Sequence, residues 1–288
     1  MAITVDCMRN AAKVYGNENV IFASAQFDED LVFVPDDFIA TKNLTRSFND
    51  VSGITGKKKL PLIADILSGL KQFPDADYYI YSNTDIAPYP EFYSSIAKII
   101  DQSGNDALII NRRRLPEEYA DKNLEELTNE KGLPHPGYDC FVFKKELLEK
   151  LDLKMVAVGI PGIGFLFAHN LFLHAKSPKV LYDEILTFHI GLEIIKEWSS
   201  KEETAFQHNQ IRAFLKEKRN HFRISNFPGY RLPFFKRHFR WLMNPLFHYP
   251  TMLRLDLKNL FDGRKIIHDE KNELCSFDVY AQPMNFSK

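Results

Sequence analysis

The chain has 288 residues, enough for one large core or one core with an appendage, and at 45% hydrophobic and 26% charged its composition is that of an ordinary soluble globular fold. A net charge of -1 leaves no overall field for nucleic acid, and no apolar run is long enough to span a membrane. Cys7, Cys140 and Cys275 are too far apart in sequence for a disulfide framework or a CxxC metal site; they fit a reducing, cytoplasmic compartment, and the N-terminus does not read as a signal peptide.

Thr4 to Tyr15 predicts a helix, with Val5, Met8, Ala12 and Tyr15 on one face and Gly16 as its stop. Asn19 to Ala25 predicts a strand, and Gln26 to Asp30 an acidic loop. No strand precedes the first helix, where an α/β nucleotide-binding sheet usually begins with one. Leu44 to Lys59 reads as a loop punctuated by Gly53 and Gly56. Its Lys57-Lys58-Lys59 run is either a solvated face or a phosphate contact ahead of the next helix, Pro61 to Leu70. Asp77 to Tyr81 predicts a mostly buried strand with a polar tip, Ser82-Asn83-Thr84-Asp85, and Pro90 opens a helix through Ile100. Asn83 and Asp85 thus either shape a strand-to-helix turn or stand where open α/β sheets bind ligands, just past a strand's carboxyl end.

Asp106 to Asn111 predicts another strand, with Arg112-Arg113-Arg114 directly after it as a solvated edge or a grip on an anion. Glu117 to Lys131 reads as a surface helix or lid. Leu133 to Gly137 is a Pro/Gly turn that enters an apolar strand through Phe143, with Asp139 at its entrance, and Lys144 to Leu151 is a short helix. Val156 to Gly164 is a glycine-rich turn before an apolar helix, Phe165 to Ala175. Its glycines are too few for a dinucleotide fingerprint and suit close backbone packing. Val180 to Gly191 gives a last strand-like run, in which His189 needs a polar partner.

Beyond Gly191 the character changes. Glu193 to Lys218 is charged and helical. His221 to Trp241 then interleaves aromatics such as Phe227, Phe235 and Phe239 with Arg223, Arg231, Lys236, Arg237 and Arg240. The expectation is an arm that packs its aromatics on the core and leaves its arginines outside, with peripheral membrane contact as the second reading. This divides the chain into residues 1–191, an α/β unit, and residues 192–288, a helical and irregular extension.

Three separated pieces belong together: Asn83-Thr84-Asp85, His135-Pro136-Gly137-Tyr138-Asp139, and Phe188-His189-Ile190-Gly191. Their order along an alternation of strands and helices resembles GT-A-type glycosyltransferases, over roughly Thr4 to Gly191. The resemblance implies a mixed, mostly parallel central sheet sandwiched by helices. It implies transfer of a sugar from a nucleotide-diphosphate donor to a hydroxyl acceptor: a glycan, a lipid-linked molecule or a small molecule. In that family an acidic DxD tip binds a divalent cation, Mn²⁺ or Mg²⁺, often with a histidine from a late strand. Here that pattern implies Asp85 and His189 as metal ligands and Asp139 as the acceptor-side base, with His135, Gly137 and Tyr138 beside the acceptor. Asp28, Lys59, Asn83, Arg112 and Arg113 would contact the donor. The tip departs from the pattern in having Asn83 where the first acid is usual. Two other readings stand beside this one: a catalytically inactive GT-A-like scaffold, and a sugar nucleotidyltransferase, whose glycine-rich basic loop is not found here.

Overall fold

In the computed structural model, which describes residues 2–56, 58–182, 184–192, 199–244, 247–263 and 266, the central strand is β5, Ala107–Leu115. Its first residues alternate between two cores, as a strand covered on both faces must. Ala107 and Ile109 face one cluster with Phe141, Phe143 and Phe167, while Leu108 and Ile110 face the other with Cys140, Val142, Phe92 and Ile96. The chain before β5 comprises α1 (Ala2–Tyr15), a short parallel pair β1 (Ala23–Ser24) and β2 (Ile39–Ala40), α2 (Phe48–Ser52), α3 (Ile63–Ser68), β3 (Tyr78–Ser82), β4 (Ala87–Pro88) and α4 (Phe92–Ser103). After it come α5 (Leu124–Asn129), β6 (Leu133–Lys144), α6 (Ile163–His174), β7 (Pro178–Leu181), β8 (Thr187–Ile190), α7 (Lys201–Lys218), α8 (Phe234–Met243) and α9 (Tyr249–Phe261).

The main sheet has the order β3-β6-β5-β8-β4, with β7 also on β5. β7 runs beside Ala107 to Ile110 and β8 beside Arg113 to Leu115, so they form two halves of an interrupted strand parallel to β5. The expected α/β layering holds, but the mostly parallel sheet does not: β6 pairs antiparallel with both β3 and β5, and β4 with β8. The physical reason lies in the connection from β5 to β6. It holds only short turns of helix that pack at the sheet's end, with Tyr119, Leu124 and Leu127 against Ala87 and Phe188. No helix crosses the face there, so the chain returns in the opposite direction. β6 thereby inserts between β3 and β5, which the α4 crossover leaves parallel.

Helices α1 and α4 cover one face. The other is covered by α3 and α6, backed by Phe214 of α7, Trp241 of α8 and Met252 of α9 in the same hydrophobic cluster. Gly164 shows why glycine is needed at the start of α6: a Cβ there would collide with the Tyr138 carbonyl oxygen of β6. Cys7 and Cys140 are buried free thiols; Cys275 and the stretch from Glu193 to Trp198 lie outside the described residues.

Several boundaries differ from those expected. The strand expected over Asn19 to Ala25 shrinks to β1, and the acidic loop after it coils into a 3-10 turn, Asp28–Phe33. Pro90 precedes α4 rather than opening it. β5 continues through all three arginines, and β6 already includes the expected Pro/Gly turn, which puts Asp139 within the strand. The C-terminal arm reverses part of the expected pattern: Arg237 is 2% exposed, whereas Phe235 is 85% exposed. The cause is Asp256 of α9, which draws the guanidinium inward.

Candidate active site at the end of the central sheet

The strand endings bring the separated sequence pieces to one place. After β3 the chain turns at once, with the Ile86 N–H donating to the Asn83 carbonyl, and Asp85 occupies the third position of that turn. β4 then pairs with β8, which sets the turn beside His189. His189 Nε2 lies 3.3 Å from Asp85 Oδ2, the imidazole largely buried and the carboxylate 59% exposed. Partial burial works to raise the Asp85 carboxyl, but the His189 hydrogen bond and the charges of His189 and Arg112 outweigh it, so it sits below the usual carboxylate range.

Asp139 reaches the site through an irregularity. Along β5, Ile110 pairs with Cys140 and Asn111 with Tyr138, so Asp139 is the extra residue of a β-bulge. A second shift, between Asn111 and Arg113, spans His135 to Gly137. Bulges re-aim side chains, and proline and glycine are the residues that strands admit there. Asn111 secures the distortion: its buried amide donates to the carbonyls of His135 at 2.5 Å and Gly137 at 2.6 Å. Gly137 leaves room for the His135 ring, whose Nε2 would lie 2.6 Å from a Cβ at that position.

The result is a compact polar group. Arg112 Nη1 is 3.3 Å from Asp139 Oδ1, and His135 Nε2 is 3.6 Å from Asp139 Oδ2. Burial pushes the Asp139 carboxyl above its usual range; Asp85 adds to the rise, and Arg112 and His189 oppose it. Burial, reinforced by the Arg112, Arg114 and His189 charges, pushes the His135 imidazole down to about 2. Four buried polar atoms here have no hydrogen-bond partner: Arg112 Nε, Asn111 Oδ1, His135 Nδ1 and Asp139 Oδ2. Buried polar atoms are normally satisfied, so such a concentration marks a site built to meet something else. Two carboxyls driven apart in pKa also suit division of labour, one staying ionised and one taking up a proton.

The other expected residues are placed differently. Asn83 turns its Oδ1 toward the Tyr81 hydroxyl, which donates to it at 2.7 Å. Arg113 donates to the carbonyls of Lys131 and Gly132, and Arg114 to that of Pro134, so both tie the end of β5 to neighbouring backbone. Tyr138 is buried with its hydroxyl 2.6 Å from that of Tyr182. Lys59 pairs with Glu29 at 2.7 Å and lies over the Phe27 ring, while Asp28 accepts from Asn43 at 2.8 Å. Among the described residues no hydrogen bond or ion pair joins Lys59 or Asp28 to the Asp85 and Asp139 cluster. Asn111 was not singled out from sequence; a lone polar residue ending an apolar run beside a proline-rich strand was the available signal.

Asp85 offers a carboxylate oxygen, the donor type Mn²⁺ and Mg²⁺ take, and His189 an imidazole nitrogen, which fits Mn²⁺ better than Mg²⁺. No set of three or more His, Cys, Asp or Glu that could hold a metal occurs among the described residues.

No protein-family model matches the chain, and no curated protein does. Among solved structures it is similar to S. aureus TarS 1-349 in complex with UDP-GlcNAc, at 13% identity over 91% of this chain and 88% of that one, with a TM-score of 0.45. It is likewise similar to S. aureus TarS 1-349, at 12% identity over 91% of this chain and 88% of that one, with a TM-score of 0.46. A likeness at that level assigns no residue of this chain a role.

Proposed function

We propose that the chain is a GT-A-type glycosyltransferase, moving a sugar from a nucleotide-diphosphate donor to a hydroxyl acceptor. The observation that supports this best is the 3.3 Å approach of His189 to Asp85, groups 104 positions apart in sequence. It creates a carboxylate-imidazole pair beside a bulged strand that carries a second, proton-accepting carboxyl. Asp85 stays ionised and, with His189, would hold a divalent cation, which would supply Lewis-acid neutralisation of charge on a leaving diphosphate. Arg112, directed at the same place, adds a fixed positive charge and a bidentate donor for phosphate oxygens. Asp139, with its carboxyl held above the usual range, takes the proton from the acceptor hydroxyl as that oxygen bonds to the sugar; the electron pair of the breaking bond leaves on the diphosphate. His135 and Gly137 shape the acceptor side, His135 in its neutral form. On this reading residues 1–191 are the catalytic unit, the described helices α7, α8 and α9 buttress it, and the reaction belongs in a reducing, cytoplasmic compartment.

The test is thermal stabilisation by UDP or GDP with Mn²⁺, read beside release of nucleoside diphosphate from a sugar donor. A shift that disappears in Asp85→Ala, and weakens in Metal titrations of His189→Ala, is expected. Absence of any shift with either nucleotide would sink the reading. A shift without turnover on any hydroxyl acceptor would instead favour a binding scaffold, the alternative suggested by the amide of Asn83 in the tip.

A further inference from the structure

Helix α8 buries two of its basic side chains and turns several of its apolar ones outward. Arg237, His238 and Trp241 are buried, while Phe235, Phe239, Leu242 and Met243 are 60% exposed or more. The orientation is fixed. Arg237 donates to both oxygens of Asp256 of α9, at 2.8 and 2.9 Å, and His238 Nε2 lies 2.7 Å from the same carboxylate. Trp241 Nε1 donates to the Pro228 carbonyl at 2.8 Å. Rolling the helix to bury Phe235 would withdraw Arg237 from a fully buried carboxylate, which is strongly unfavourable. On α9, Leu257, Leu260 and Phe261 are exposed, and so are Arg254 and Lys258. From Arg219 to Gly263 the sequence holds eight Lys and Arg against two Asp and no Glu; with the buried Arg237 and Asp256 pair set aside the segment stays basic, and Arg254 and Lys258 are the cations that α9 exposes.

We propose that α8 and α9 form a docking surface for an anionic lipid bilayer. An apolar helical face with aromatic side chains, carried on a strongly basic segment, matches the chemistry of an interfacial helix: the phenyl rings enter the acyl boundary while cations meet acidic headgroups. Charge complementarity selects this occupant over a second copy of the chain, because self-association through this face would bring two basic segments together. No residue of this surface belongs to the Asp85 and Asp139 cluster. No helix among the described residues is long and apolar enough to cross a membrane, so the attachment is peripheral.

The test is co-sedimentation of the full chain with phosphatidylglycerol-containing vesicles and with pure phosphatidylcholine vesicles, at low and high salt. Binding to the anionic vesicles should exceed binding to the neutral ones about tenfold and weaken with salt. The double variant Phe235→Ser/Phe239→Ser should lose the binding while its melting temperature is unchanged, since both rings are exposed. Arg254→Glu/Lys258→Glu should weaken binding and flatten its salt dependence. No binding to anionic vesicles, or equal binding by the phenylalanine variant, overturns the proposal. So does a dimer in light scattering that Phe235→Ser/Phe239→Ser disperses, which would assign the face to a second copy.

Discussion

Asp85 and Asp139 are chemically identical, and their surroundings drive them apart. Asp85 is exposed on a turn and held ionised by His189 and Arg112. Asp139 is largely buried, and desolvation outweighs the Arg112 charge 3.3 Å away. Its folded pKa lies above the ordinary 3.8, so the folded chain binds that proton more tightly than the unfolded one. The stability this contributes is complete below 3.8 and is lost as pH rises through the higher folded value. At neutral pH a buried carboxylate therefore costs stability. Asp139→Asn should melt at a higher temperature than the parent at neutral pH, with the difference shrinking on acidification, while turnover falls by about 10² to 10⁴. Calorimetry across pH, beside the nucleotide-release assay, checks both. Full turnover in the variant would reduce Asp139 to a structural role.

At the scale of elements, the site depends on two register shifts in one strand pair. β3 ends at Ser82, opposite Cys140, so among the described residues the first half of β6 pairs with β5 alone. A strand edge of that kind tolerates Pro134 and Pro136, and the bulges bring His135 and Asp139 toward Arg112. Asn111 holds the distortion with one amide group. Asn111→Ala should leave the His135 and Gly137 carbonyls without that donor and destabilise the fold by about 1–3 kcal/mol. Turnover should fall with it, because the bulge that Asn111 holds presents His135 and Asp139 to Arg112. Denaturant unfolding and the release assay together test this, and undiminished turnover would show that the bulge forms without the amide.

For the whole molecule, the sheet's two faces are covered by different parts of the chain. α1 and α4 close one side. The other needs the C-terminal helices: Phe214, Trp241 and Met252 belong to the cluster that contains Phe141 and Phe167. The Arg237 and Asp256 pair fastens α8 to α9 inside that layer. Asp256→Asn removes the charge that compensates a guanidinium only 2% exposed, and a loss of about 3–5 kcal/mol in unfolding free energy is expected. A small loss in chemical denaturation would mean that the pair is replaced by solvent at little cost. The same fastening keeps the apolar side of α8 outward, so packing within the arm decides what the arm offers to its surroundings.

Local chemistry in the sequence determined much of this. Apolar spacing and glycine stops placed α1, α3, α4 and α6 within a few residues, because a helix face and its cap are set by near neighbours. The polar tip at Asp85, the isolated His189 and the acid at Asp139 were legible as residue types out of keeping with their apolar flanks. The strand directions were not: β6 reads like any other apolar strand, and only its return between β3 and β5 makes most of the pairings antiparallel. The rotation of α8 was also undetermined, since partners that fix it, Asp256 and the Pro228 carbonyl, lie on other segments. Register, bulges and helix rotation are fixed by contacts between distant segments. Tertiary structure alone therefore decided that Arg112 meets Asp139, that Arg113 ties backbone together, and that Phe235 faces outward while Arg237 does not.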